Sequence, residues 1–253
     1  MARTAVWGSA MLAVVAAFGM ERTQASTSNQ PIPFKTKAKV WLDEQGIPQQ
    51  VETPEQLPSA IREAIGVQVK EWRFKPATVN GEAKSGITYL MLNACAAAGA
   101  AGELNLALGY VYGGPASNQN AAGLTPPPRY PVDAFRSGIQ GTWLVTYEVL
   151  PDGTAQWMSV APQGETNPKR LNYFEPALRQ WVSQLRYQPE EVDGHAVSTV
   201  VRIPVGFNLG TGTKPVSPKE EARSGKECLA AMQADLPMRT ASDTQFKLVS
   251  GGS

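Results

Sequence analysis

The sequence predicts an α+β protein of two small tandem units, each a three-stranded antiparallel sheet with one covering helix. Three observations lead there. A short motif occurs twice: Trp72-Arg73-Phe74-Lys75-Pro76 then Asn80-Gly81, and Leu185-Arg186-Tyr187-Gln188-Pro189 then Asp193-Gly194, with the same Pro-to-Gly spacing. A helical pattern precedes each copy, Ile61, Ile65, Val69 and Trp72 in the first and Phe174, Leu178, Trp181 and Leu185 in the second, at spacings of three and four. Ahead of each helix lie an alternating run, an Asp- and Gly-bearing turn and a second extended run. Ala38, Val40 and Leu42 precede Asp43-Glu44-Gln45-Gly46, and Trp143, Val145, Tyr147 and Val149 precede Pro151-Asp152-Gly153. A sheet of this kind buries one face only, so each unit needs its helix to close a core.

In chain order, Arg3 stands ahead of an uncharged stretch from Thr4 to Met20, and Thr23-Gln24-Ala25 supplies small residues at a cleavage position. Residues 1–25 are read as a signal peptide cut after Ala25, the alternative being an uncleaved signal anchor. The apolar stretch falls short of the roughly 20 residues that span a bilayer. The first unit covers 34–112. Its third extended segment runs from Ile87 to Ala94, and Leu104, Leu106, Leu108 and Tyr110 alternate in an added strand. Residues 113–128 are rich in Gly, Asn, Ala and Pro, end in Pro126-Pro127-Pro128 and read as a stiff spacer. The second unit covers 129–210, with a third extended segment from Val197 to Leu209. The tail, 211–253, is polar and looser, with a short helix expected between Glu220 and Met232.

Composition narrows the function. Hydrophobic residues make up 42% of the 253 residues, enough for a buried core, while 23 Lys and Arg nearly balance 22 Asp and Glu. No basic field exists to hold a phosphate backbone, so nucleic acid is not an expected partner. Cys95 and Cys228 are the two cysteines, and an oxidising compartment permits a bond between them, against two buried or free thiols. Two cysteines and the single His195 give no metal-ligand spacing, and no cofactor motif stands out. His195 reads as a solvated turn residue, with no nucleophile or oxyanion motif beside it. Glu190, Glu191 and Asp193 read as an acidic patch pointing apart into water rather than a working carboxylate pair. Gly210-Thr211-Gly212-Thr213-Lys214 lacks the glycine spacing of a phosphate loop and reads as a linker. Trp72, Phe74, Trp181 and Tyr187 read as core aromatics, with the apolar stems of Arg73 and Arg186 along the rim. Catalysis is not expected.

Several spaced motifs of the second copy carry a family resemblance. Tyr130-Pro131, Gly138-Ile139-Gln140-Gly141-Thr142, Pro151-Asp152-Gly153, Leu185 to Pro189, Asp193-Gly194 and Ile203-Pro204-Val205-Gly206-Phe207 together resemble the TonB C-terminal domain family. The first copy resembles a degenerate member, keeping Trp72 to Pro76 and Asn80-Gly81 but not the Tyr-Pro and Gly-Ile-Gln-Gly entry. The resemblance implies a protein in the periplasm of a Gram-negative bacterium. It would bind a TonB-dependent outer-membrane transporter, or another envelope protein, by adding a strand to a sheet edge. The implied edge is the third strand of the second copy, at Val200, Val201, Arg202, Ile203 and Val205, with Arg129, Tyr130 and Pro131 near the domain entrance. Pro204 has no N–H to donate, which suits an edge and leaves one ladder bond unmade with any partner. A full transducer of this family carries a histidine in an N-terminal membrane helix, then a Pro-rich reach. Here the one His lies in a turn and the Pro-rich stretch lies between the copies, so the expectation is a periplasmic binding module. The alternative is a scaffold or homodimer whose sheet edges are already occupied.

Overall fold

The computed structural model describes residues 31–98, 103–118, 127–210, 225–234 and 240–251. The expected leader, residues 119–126 of the expected spacer and residues 211–224 of the tail lie outside that set. Among the described residues, no helix is long and apolar enough to cross a membrane.

Strand β1 (Ile32–Leu42) turns into β2 (Pro48–Glu52), and its alternation places Thr36, Ala38, Val40 and Leu42 in the interior. The turn is built by Asp43, whose carboxylate accepts the amides of Gln45 and Ile47, both at 2.9 Å. Helix α1 (Ser59–Lys70) lays Ile65 and Val69 over the sheet, and Trp72 follows it into the core. After β3 (Arg73–Lys75), strands β4 (Ala77–Val79) and β5 (Glu82–Lys84) form a tight hairpin. Its two turn residues, Asn80 and Gly81, have φ of 55° and 85°, the left-handed pair a two-residue hairpin demands. Strand β6 (Gly86–Ala98) then pairs with β1 along its whole length, β7 (Leu104–Gly114) pairs along β6, and β8 (Ala116–Ser117) follows.

The same order recurs. A short helix α2 (Val132–Arg136) leads into the hairpin of β9 (Gly141–Val149) and β10 (Ala155–Pro162), then α3 (Leu171–Gln184), which buries Phe174, Leu178, Trp181 and Val182. Next come β11 (Tyr187–Gln188), the hairpin of β12 (Glu190–Val192) and β13 (His195–Val197) across Asp193 and Gly194, and finally β14 (Thr199–Phe207) beside β9. Asp193 and Gly194 repeat the left-handed pair, with φ of 53° and 76°.

Local detail repeats too. The Phe74 amide donates to Gly46 O at 3.0 Å, and the Tyr187 amide to Gly153 O at 2.8 Å. Both glycines have positive φ, and a Cβ on either would lie 1.8 Å from Phe74 O or 2.3 Å from Tyr187 O, so neither turn tolerates a side chain. Arg73 Nη1 donates to Trp72 O at 2.8 Å and Lys70 O at 3.2 Å, and Arg186 Nη1 to Leu185 O at 2.7 Å and Ser183 O at 2.9 Å. Each guanidinium thus satisfies carbonyls left unpaired where its helix ends.

The sheets are larger than three strands. Strand β7 and the β12–β13 hairpin join the first to make six, because Glu191 and Val192 pair with Ile87 and Gly86 at the foot of β6. The second has four strands, in the order β10, β9, β14 and β15 (Ala241–Ser242). The expected spacer begins later than its composition suggests. Gly113 and Gly114 end β7, and Ala116 and Ser117 are buried in β8 against β11. Gly and Ala there permit close strand approach rather than a loose chain.

The tail is more ordered than its polarity suggests. Helix α4 (Gly225–Ala234) is held by a disulfide from Cys228 to Cys95 of β6, with a Cα–Cα distance of 6.0 Å. Strand β16 (Lys247–Ser250) pairs with β3, and Phe246 is 0% exposed in the first core. Backbone pairing and one anchored aromatic do what a longer apolar pattern does elsewhere.

Candidate partner-binding edge

Strand β14 has one edge on β9, in unbroken register from Thr199↔Val149 to Phe207↔Gly141. Its inward residues Val201, Ile203, Val205 and Phe207 pack into the second core, while Val200, Arg202, Pro204 and Gly206 occupy the other face. The outer edge is paired only briefly. Val201 faces Ser242 and Arg202 faces Ala241, and the Asp243 amide donates to Val200 O at 2.8 Å.

Asp243 also grips Arg202. Nη1 to Oδ1 measures 3.0 Å and Nη2 to Oδ2 3.1 Å, a bidentate fork between two side chains that remain well exposed. The Arg202 hydrogen bond holds the Asp243 carboxyl below the usual aspartate range, and the same bond raises Arg202. Of the expected partner-binding residues, Val200, Val201 and Arg202 therefore already face a segment of the same chain, while Ile203 and Val205 lie beyond it.

Arg129, Tyr130 and Pro131 stand at the other end of β14. Tyr130 donates its hydroxyl to Ile139 O at 2.6 Å and packs edge-on against Phe174 and Phe207, with ring centroids 6.1 and 5.3 Å apart. Burial raises its phenol. Pro131 precedes the first turn of α2, and Arg129 is exposed. The Tyr-Pro pair thus closes the core under Phe207 and is not gathered with Val200 to Arg202. His195 is exposed, its Nδ1 2.8 Å from Asp193 O.

Glu190 does not point into water with an acidic patch. Glu190 is 0% exposed, and its carboxylate gathers four donors from three separate segments. Thr88 of β6 donates at 2.6 Å and Thr244 of the tail at 2.5 Å to Oε1; Thr199 of β14 at 2.9 Å and the Gln245 amide at 3.4 Å donate to Oε2. Burial pushes the acid up from its ordinary value, and the threonine hydroxyls oppose the shift. Sequence reading placed this side chain in water because its partners lie 102, 54 and 9 residues away. The faint sequence signal is the equivalence of Pro189-Glu190 with Pro76-Ala77 in the repeated motif, which sets Glu190 where the first copy has a small apolar residue, and Ala77 is buried in the structure.

An open polar cleft lined by Gln140, Thr142, Gln163, Glu165, Asn167 and Arg170 lies at the start of β9, remote from Arg202. Among the described residues, no three His, Cys, Asp or Glu side chains gather as a metal site.

Residues 126–209, about a third of the 253-residue chain, match the family described as Gram-negative bacterial TonB protein C-terminal. The matched span begins just before Arg129 and ends just after β14. No curated protein matches the chain.

Proposed function

We propose that this is a TonB-like envelope protein whose second unit, 129–210, binds an outer-membrane transporter by strand addition. The first unit, 34–112, serves as a degenerate tandem copy that braces it. On this reading residues 1–25 direct export to the periplasm of a Gram-negative bacterium, and the role is binding rather than catalysis. The observation that carries the reading is β14 itself: it lies inside the matched span, and among the described residues no strand pairs with its outer edge from Ile203 onward. Strand addition takes affinity from main-chain hydrogen bonds, which Val200 and Arg202 offer in full and Pro204 and Gly206 in part. Val200 and Arg202, whose main-chain polar groups turn outward, are the proposed contact residues, and Val201, Ile203 and Val205 hold the same strand on β9 and the second core. Arg129, Tyr130 and Pro131 set the far end of the strand.

The test is fluorescence anisotropy of the full chain with a labelled peptide copying a periplasmic segment of a TonB-dependent transporter. Saturable binding that is lost when alternate residues of the peptide are replaced by Pro, removing ladder donors, is the expected result. No binding at high micromolar peptide overturns the reading.

A second reading is a scaffold or homodimer with its edges occupied. The pairing of Ala241 and Ser242 on β14 favours it. Light scattering that shows a concentration-independent dimer, together with absent peptide binding, would select it.

A further inference from the structure

We propose that the segment Ala241–Asp243 is an exchangeable stand-in for the partner strand, and that β14 selects a partner carrying a carboxylate on the diagonal from Arg202. The inference rests on the strand-addition reading and adds the chemistry of the incoming strand.

Because the Asp243 amide donates to Val200 O, the polar groups of Val200 face the outer edge. Hydrogen-bonding direction alternates along a strand, so Arg202, Pro204 and Gly206 face the same way. Pro204 contributes a carbonyl and no N–H. Beyond Arg202 the edge therefore offers two carbonyls and the single amide of Gly206. The stretch with a full set of donors and acceptors is Val200 and Arg202, and the tail covers it. A partner strand confined to the uncovered part would make few bonds, so productive addition requires Ala241–Asp243 to leave.

The segment is built to leave without unfolding the tail. Downstream, Phe246 is buried in the first core, Thr244 donates to Glu190, and β16 pairs with β3. Upstream, Cys228 fixes α4 to β6. Between these anchors, Ala241 to Asp243 hold β14 through a two-residue ladder, one further amide and an exposed ion pair, with Ser242 Oγ donating to Gly113 O. A tethered strand at high effective concentration keeps the edge covered when no partner is present, yet its own grip is small.

The geometry also states what the site reads. In an antiparallel pair the diagonal neighbour lies within reach of a long side chain, and Arg202 uses that reach to fork onto Asp243. A displacing strand that supplies its own carboxylate there recovers the fork, while one with a neutral or basic residue leaves the guanidinium to water.

The test uses the full oxidised chain, a labelled peptide copying residues 239–245, and the same peptide with its Asp replaced by Asn. Asp243→Pro removes the amide that binds Val200 and the carboxylate that binds Arg202, leaving Thr244, Phe246 and Cys228 in place. We expect this variant to bind the Asp peptide at least tenfold more tightly than the wild type, and the Asn peptide several-fold less tightly than the Asp peptide. Hydrogen exchange at the Arg202 amide, read without any peptide, should accelerate in the variant while the β9 amides stay protected. Asp243→Asn, milder for folding, should shift both readouts in the same direction. An Arg202 amide that stays protected in both variants, or equal peptide affinity for wild type and variant, overturns the stand-in; equal binding of the two peptides overturns the carboxylate selection. A chain that passes these tests but ignores every transporter peptide would instead overturn the proposed transporter role.

Discussion

The third strands of the two runs, β6 and β14, enter the same topological position and end in opposite states. Each follows a left-handed two-residue hairpin and pairs with the first strand of its run. Strand β6 is flanked on both sides: β1 covers one edge from Gly86 to Ala96, and on the other β12 covers Gly86 and Ile87 and β7 covers Tyr89 to Ala98. Strand β14 has three residues of its outer edge met by the tail, and among the described residues no strand pairs with the rest. An open edge is a liability unless it has a use, and only one of the two runs keeps it. The pairing of β12 with β6 also makes the second run a participant in the first sheet, so the two runs share structure rather than stand as beads.

The disulfide offers the largest way to break this contrast. It closes a loop with a sequence separation of 133 residues, and on the chain-entropy model the double variant Cys95→Ser/Cys228→Ser loses about 5 kcal/mol. Chemical denaturation should read that loss. Because the bond anchors α4 on β6, the variant should also expose the Arg202 amide while β6 and β7 stay paired. Trp72→Ala comes next, at about 3 to 5 kcal/mol for truncating a buried aromatic. A melt within error of the wild type would remove Trp72 from the first core.

Glu190 sharpens the comparison because it links β6, β14 and the tail at one carboxylate. Burial raises its folded pKa, so its contribution to stability is fully present below the unfolded value, about 4.3, and is lost as pH rises through the folded one. Glu190→Gln abolishes that titration. The melting temperature of the variant relative to the wild type should therefore rise as pH increases above the unfolded value of about 4.3, the sign expected when an ionised buried group is replaced by a neutral one. Parallel curves would remove the carboxylate from the pH response. The smallest effect belongs to Arg202→Ala, which breaks an exposed ion pair and should cost under about 1 kcal/mol, read by chemical denaturation. A loss of several kcal/mol would make Arg202 a structural residue rather than a contact residue.

The elements that carry these effects were unequally legible. Period and turn chemistry give β1, α1, β9 and α3 almost as they stand, because Val40, Val69, Val145 and Leu178 belong to patterns that name their own buried face. The repeated aromatic-Pro-turn motif points to two structures of one kind, and the local bonds of Gly46 and Gly153 supply its physical reason. The strand of the candidate edge was legible as the extended segment from Val197 to Leu209, but its cover was not. Main-chain pairing of Ala241 and Ser242 leaves no mark in composition, and the ion pair of Arg202 spans 41 residues. Phe246 and Leu248, alternating in a polar tail, were the faint signal that part of that tail returns to the body of the protein.

On the proposed function, a partner strand pairs with the outer edge of β14. Residue-resolved hydrogen exchange on the full chain, with and without saturating transporter peptide, tests it most directly. Strand addition there predicts new protection at the Gly206 amide, retained protection at Arg202 as one strand replaces another, and no change along β6 and β7. Protection gained instead along the outer edges of β2, β7 or β10, with Gly206 unaltered, would contradict it.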